Sequence, residues 1–139
     1  MSSPVIFPYV PVVPSIGSAG LMPMVPIELE LNSNAIRTLA LVDSGSTVNV
    51  IPYQMGLHLG GDWNQYPGTI PLGGMLSNYP AKPLMIKSAV QPFAPVLLAF
   101  AWSQAPTARL ILGQTNFFME FDVCFFRSQS AFQVQPRKP

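Results

Sequence analysis

Charge is what this chain has least of. Only 9% of its 139 residues are charged, 7 Lys or Arg against 6 Asp or Glu, for a formal net charge of +1; soluble proteins ordinarily carry ~25%. There is no basic block, which argues against nucleic acid or an anionic membrane surface as partner. With 49% apolar residues, much of the surface has to be apolar or neutral polar, and this favours a sizeable interface with another chain. Cysteine is nearly missing as well. Cys124 stands alone, so no intrachain disulfide forms, and its apolar setting between Val123 and Phe125-Phe126 predicts a buried, inert thiol. Metal-ligand spacings, phosphate-binding glycine loops and the serine-hydrolase elbow are all lacking, so no metal and no cofactor is expected. The longest apolar run, residues 93–102, contains Pro95 and is too short to span a bilayer. The first eight residues have no basic flank and are broken by Pro4 and Pro8, unlike a signal peptide. A soluble, cytoplasmic protein is the expectation.

What is abundant is proline and short apolar segments. The length suits one domain that buries roughly two-thirds of its unfolded surface. Pro4, Pro8, Pro11 and Pro14 punctuate residues 1–25, which read as an extended arm or edge strand packed on something, a neighbouring subunit included, or as a flexible tail. Residues 26–139 read as the main domain. There Ile27, Leu29 and Leu31 alternate with Glu28 and Glu30, the pattern of a half-buried strand. Asn32-Ser33-Asn34 is turn chemistry, and Ile36 to Val42 returns as a strand. Val48 to Ile51 is strand-like, and a short helix from Tyr53 to Leu59 ends at Gly60-Gly61. Ile70 to Leu76, with Gly73 and Gly74 between apolar flanks, predicts a mobile hairpin. Further strands are expected over 82–90, 96–102 and 110–112, then a brief helix capped by Thr115. A final hairpin turns at residues 127–130. The fold class is mostly β.

One strand ends on a carboxylate. Leu39 to Val42 delivers Asp43 into a tight turn, Ser44-Gly45-Ser46-Thr47, from which a second apolar strand leaves at once. Such a setting surrounds an acid with backbone N–H and hydroxyl donors, the means by which a carboxylate is tuned for chemistry. The plain alternative is a turn aspartate bonding its own backbone. His58 reads as a helix-surface residue. Asp62 and Asp122 lack an apolar approach strand and are not candidates for a second acid.

Asp43-Ser44-Gly45, continued through Val50-Ile51-Pro52, resembles the active-site loop and following strand of aspartic proteases. Leu110-Ile111-Leu112-Gly113 resembles the element of two hydrophobics and a glycine that crosses that loop in each lobe. Residues 111–134 are similar to the end of a pepsin lobe, and Leu72-Gly73-Gly74-Met75 falls where a retropepsin flap belongs. The resemblance is therefore to retropepsin-like aspartic proteases, with a single-lobe fold of barrel-like sheets, a flap hairpin and one or two short helices. Two departures stand out: Gln114 where retroviral enzymes carry arginine, and a C-terminal hairpin longer than their single last strand.

The resemblance implies an aspartic endopeptidase that cuts extended peptides between bulky apolar residues. Because the signature occurs once, activity implies a homodimer with one catalytic Asp43 from each chain. Ser44 would bond across the twofold axis, Gly45 would aim its N–H at the carboxylate, and Ser46 would donate to Asp43 and favour an acidic optimum. Leu72, Gly73, Gly74 and Met75 would form the substrate-binding flap. A non-catalytic dimeric peptide-binding scaffold and a self-processing segment of a larger precursor are the competing readings.

Overall fold

The computed structural model describes residues 3–139. Its proline-punctuated start forms β1 (Val5–Pro8) and β2 (Val10–Pro11), a 3-10 segment (Pro14–Gly20) and β3 (Leu21–Met22). The alternating Glu and Leu run is β4 (Met24–Leu31), with Val25, Ile27 and Leu29 buried on one face. It pairs antiparallel with β5 (Asn34–Val42), closing Leu31 against Asn34. Only Asn32 and Ser33 lie between, at φ 49 and 76. Two consecutive left-handed residues are what a two-residue hairpin with the right twist requires, and asparagine tolerates that region best among residues with a side chain. After β6 (Asn49–Pro52) comes helix α1 (Tyr53–His58). Its Tyr53 stacks on fully buried Trp102, ring centroids 5.7 Å apart, while the Trp102 indole donates to the Tyr53 carbonyl at 3.0 Å. Burying the indole is thus compatible with its polar N–H.

The long strands β7 (Ala81–Ala89) and β8 (Val96–Ser103) follow, then β9 (Ile111–Leu112), helix α2 (Phe117–Glu120), β10 (Phe121–Phe126) and β11 (Ala131–Pro136). Six strands close a barrel in the order β4-β5-β9-β6-β8-β7. Val25, Val42, Ile51, Leu84, Leu98, Phe100 and Leu112 belong to its core. Beside it, β1, β11 and β10 make a separate antiparallel sheet. Phe132, fully buried, stacks on Phe7 with centroids 5.5 Å apart. Val5, Phe7 and Tyr9 of the first segment thus pack on this chain's own C-terminal hairpin.

Three expectations need correction. Residues 66–73 form no strand, and Gly74–Leu76 is a 3-10 turn, so the segment expected as a hairpin is not one. Pro67, Pro71 and Pro80 supply no N–H to a ladder, and one backbone bond, from Ile70 N to Ala81 O at 2.9 Å, ties the segment to β7. Cys124 is exposed rather than buried. On β10 the side chains alternate: Phe121 faces the core, while Cys124 lies opposite Gln133 on the outer face. Thr115 does not cap α2; Asn116 occupies that position, and its side chain bonds elsewhere.

Candidate active site

β5 runs parallel to β9, with Val42 beside Leu112. At its end the Asp43 N–H donates to the Leu112 carbonyl at 3.0 Å. The chain then turns: Ser46 N donates to the Asp43 carbonyl at 3.1 Å, and Gly45 N donates to Asp43 Oδ1 at 2.9 Å. The bond expected of Gly45 is therefore made, within the turn geometry that Asp-Ser-Gly favours. Asp43 is half-buried, and Ser44 and Gly45 are exposed.

The downstream segment crosses this turn. Gln114 N donates to Ser46 O at 2.8 Å and Thr115 N to Thr47 O at 2.9 Å, while Asn49 N returns a bond to Thr115 O at 3.1 Å. At the crossing a Cβ on Gly113 would stand 2.3 Å from the Val48 carbonyl oxygen and 2.8 Å from that of Ser46. Only a residue without a side chain lets the two backbones pass so close. Gln114, in the place of the expected arginine, donates from Nε2 to the Ser44 carbonyl at 2.8 Å. The substitution thus keeps a side-chain tie to the turn while carrying no charge.

Ser46 departs from its expected role. Its hydroxyl donates to the Val48 carbonyl at 2.7 Å and not to Asp43. It braces the turn, and the reason it offered for an acidic optimum falls away. The Ser44 hydroxyl has no partner of its own chain among the described hydrogen bonds; only its carbonyl is engaged.

A cleft of ≈ 270 Å³ opens beside the turn, lined by Gly45, Ser46, Thr47, Val48 and Val50 on one side and Leu72, Gly73 and Leu76 on the other. Leu72 and Leu76 also pack with Val50, Ala81 and Ala101 in a small apolar cluster distinct from the main core. Leu72, Gly73 and Leu76 of the segment expected as a flap thus share a cleft with residues 45–48, although the segment is not a hairpin. Met75 does not help cover the cleft. Its side chain is 77% exposed and lies outside the lining. Asp62 is occupied as the cap of a 3-10 turn, accepting from Asn64 N at 3.1 Å, and Asp122 is exposed on β10. His58 is exposed at the end of α1. A larger cleft, ≈ 460 Å³ between Phe7, Ile27 and Arg37, holds one acid, Glu28. That carboxylate is bound to the Arg37 guanidinium at 2.8 Å, which raises the Arg37 pKa through the hydrogen bond and the charge. It has no free acid to offer chemistry.

Two residues with no motif of their own hold the crossing. Asn49 is fully buried. Its Oδ1 accepts from Gly113 N at 2.8 Å, and its Nδ2 donates to Ala99 O at 3.0 Å and to Asn116 Oδ1 at 3.2 Å. Asn116 Oδ1 also accepts from Ala99 N at 3.0 Å. The sequence signals Asn49 only as an amide inside the apolar run 48–51; nothing marks Asn116.

A half-buried carboxylate at the start of a crossed turn, near a cleft of mixed polar and apolar lining, can act as an acid or a base but supplies one such group per chain. Among the described residues no cluster of three His, Cys, Asp or Glu is arranged to hold a metal ion. No helix among them is long and apolar enough to cross a membrane.

No protein-family model matches the chain. No curated protein matches it either. Among solved structures, the chain is similar to the crystal structure of a retropepsin-like aspartic protease from Rickettsia conorii, with a TM-score of 0.62 at 13% identity over 95% of this chain and 89% of that one. The fold is retropepsin-like: a mostly β, single-lobe architecture around a closed six-stranded barrel.

Proposed function

We propose that this retropepsin-like chain is an aspartic endopeptidase that works as a homodimer, with Asp43 and its copy as the catalytic pair. The observation that carries the reading is the placement of Asp43. It opens the turn that Leu112 and Gln114 grip at its two ends, in a fold shared with a retropepsin-like aspartic protease. Peptide hydrolysis by this route needs a base for water and an acid for the substrate carbonyl. Two carboxylates a hydrogen bond apart cannot both be charged, so they hold one proton between them and fill both roles. The ionised member takes a proton from water, and the other gives its proton to the carbonyl oxygen. A single Asp-Ser-Gly per chain supports the second copy as the source of the other acid. Because the working form holds that shared proton, activity falls as pH rises and the proton leaves, which places the optimum on the acid side.

Four apolar side chains in the cleft, Val48, Val50, Leu72 and Leu76, support extended peptides with bulky apolar residues at the cut. Each large side chain taken up between Val48, Val50, Leu72 and Leu76 gains about 1.5–3 kcal/mol. The test is digestion of a denatured protein library, with Asp43→Asn as control. That change conserves volume but removes both acid and base function, so the variant is expected to fold normally and cut nothing. Appreciable turnover by Asp43→Asn would mean that water is activated elsewhere. Peptide binding without cutting by the unaltered chain would favour the non-catalytic scaffold.

A further inference from the structure

We propose that Asn49 and Asn116 form an amide clamp that positions the Asp43 turn for catalysis, an inference that rests on the protease reading above. β6 begins at Asn49, and there β8 loses its regular partner. Both backbone groups of Ala99 are met by side chains instead: its carbonyl by Asn49 Nδ2 at 3.0 Å, its N–H by Asn116 Oδ1 at 3.0 Å. The same Asn49 side chain takes the Gly113 N–H at 2.8 Å. Gly113 lies between the two residues that grip the turn, for Leu112 O receives the Asp43 N–H and Gln114 N reaches Ser46 O. Asn49 therefore ties the β8 strand to the segment that holds both ends of the Asp43 turn.

The polarity of the clamp is fixed. Asn49 must donate from Nδ2 to two acceptors while accepting on Oδ1, which no carboxylate can do. Asn116 uses only its oxygen in the bonds described, and a carboxylate can replace that. A catalytic group must be held within a fraction of an ångström, since a displacement of about 1 Å costs on the order of a hundredfold in rate. Neither Asn49 nor Asn116 lines the cleft beside the turn. They are positioning residues.

The same chemical change at the two positions is expected to have opposite results. We would measure kcat, KM, melting temperature and amide hydrogen exchange for Asn49→Asp, Asn116→Ala and Asn116→Asp, all well below their melting temperatures. Asn49→Asp and Asn116→Ala are expected to lose roughly ten- to a hundredfold in kcat with KM nearly unchanged. Amide exchange at Asp43, Gly113 and Gln114 should accelerate in both. Asn116→Asp should recover most of what Asn116→Ala loses. Should Asn49→Asp fail to fold, the two Asn116 variants still decide the matter, because Asn116 is only half-buried. Losses confined to melting temperature, with kcat of the folded enzyme intact, would overturn the clamp. So would Asn116→Asp proving no better than Asn116→Ala. If the unaltered chain cuts nothing, the protease reading fails and exchange alone judges the clamp. Faster exchange in Asn116→Ala, restored in Asn116→Asp, supports it; unchanged exchange refutes it.

Discussion

Ser46 shows how one hydroxyl divides two mechanisms. Beside a catalytic carboxylate, a serine in this place invites the reading that it stabilises the charged acid. Its hydroxyl instead closes on Val48 O at 2.7 Å, and the N–H of Gly45 is what meets Asp43 Oδ1. A bond of this kind contributes about 1 kcal/mol to folding. Ser46→Ala should therefore lower the melting temperature modestly and leave the pH dependence of cleavage where it is. A displaced acidic limb in that variant would put the hydroxyl back on the carboxylate in the assembled enzyme. Asn49 is the opposite case. A polar residue with none of its surface exposed has to be satisfied, and its bonds join β8 at Ala99 to the crossing at Gly113.

Among the elements, the segment over the cleft is the least regular and the most exposed to sequence choice. Its prolines withhold N–H groups and its glycines withhold side chains, so it rests on Leu72 and Leu76 rather than on a ladder. Its two adjacent glycines are not equivalent. Gly74 has φ 62, whereas Gly73 sits in extended backbone at φ −92 and ψ 172, and a Cβ at either would meet nothing within 4 Å. Gly74→Ala should thus cost about 1–2 kcal/mol of local strain, while Gly73→Ala should be neutral or slightly stabilising through the unfolded chain. Turnover should suffer more in the first variant, if this segment must open for substrate and then exclude water. Melting temperature and kcat measured side by side check this, and equal effects at the two positions would contradict the conformation described.

At the scale of the molecule, the scarcity of charge and the single acid point the same way. Large apolar side chains such as Ile6, Leu97 and Met119 are more than half exposed, at 55%, 59% and 58%. They add to the case for a partner surface, and the proposed chemistry requires a second Asp43. Specific activity should then fall on dilution towards the dimer dissociation constant, followed in parallel by sedimentation. Constant activity per chain at concentrations where only monomer sediments would defeat the homodimer. The N-terminal arm bears on the same question. β1 is already paired with β11 through Val5 to Pro8, so residues 5–8 are engaged within the chain and their pairing does not depend on a partner.

Alternation and turn chemistry, both local in sequence, were enough to specify the central strands and the acid at the end of one of them. Glu28 and Glu30 between leucines marked β4, Asn32-Ser33 marked its hairpin, and an apolar run ending in Asp43-Ser44-Gly45 marked the acid. Leu110 to Gly113 marked the crossing only through its resemblance to the aspartic proteases; the structure supplies the reason for the glycine, a close pass of two backbones. What the tertiary structure decided depends on residues far apart in the chain or on competition among near-equal choices. Asn49 reaches Gly113 across 64 positions and Asn116 across 67, and no local pattern encodes such a bond. Val123 to Phe126 is apolar throughout, yet Cys124 is exposed because the sheet carrying it has only one covered face. The Ser46 hydroxyl was expected on Asp43 and is found on Val48. The path of the crossed turn, which brings the Val48 carbonyl to that hydroxyl, decided it.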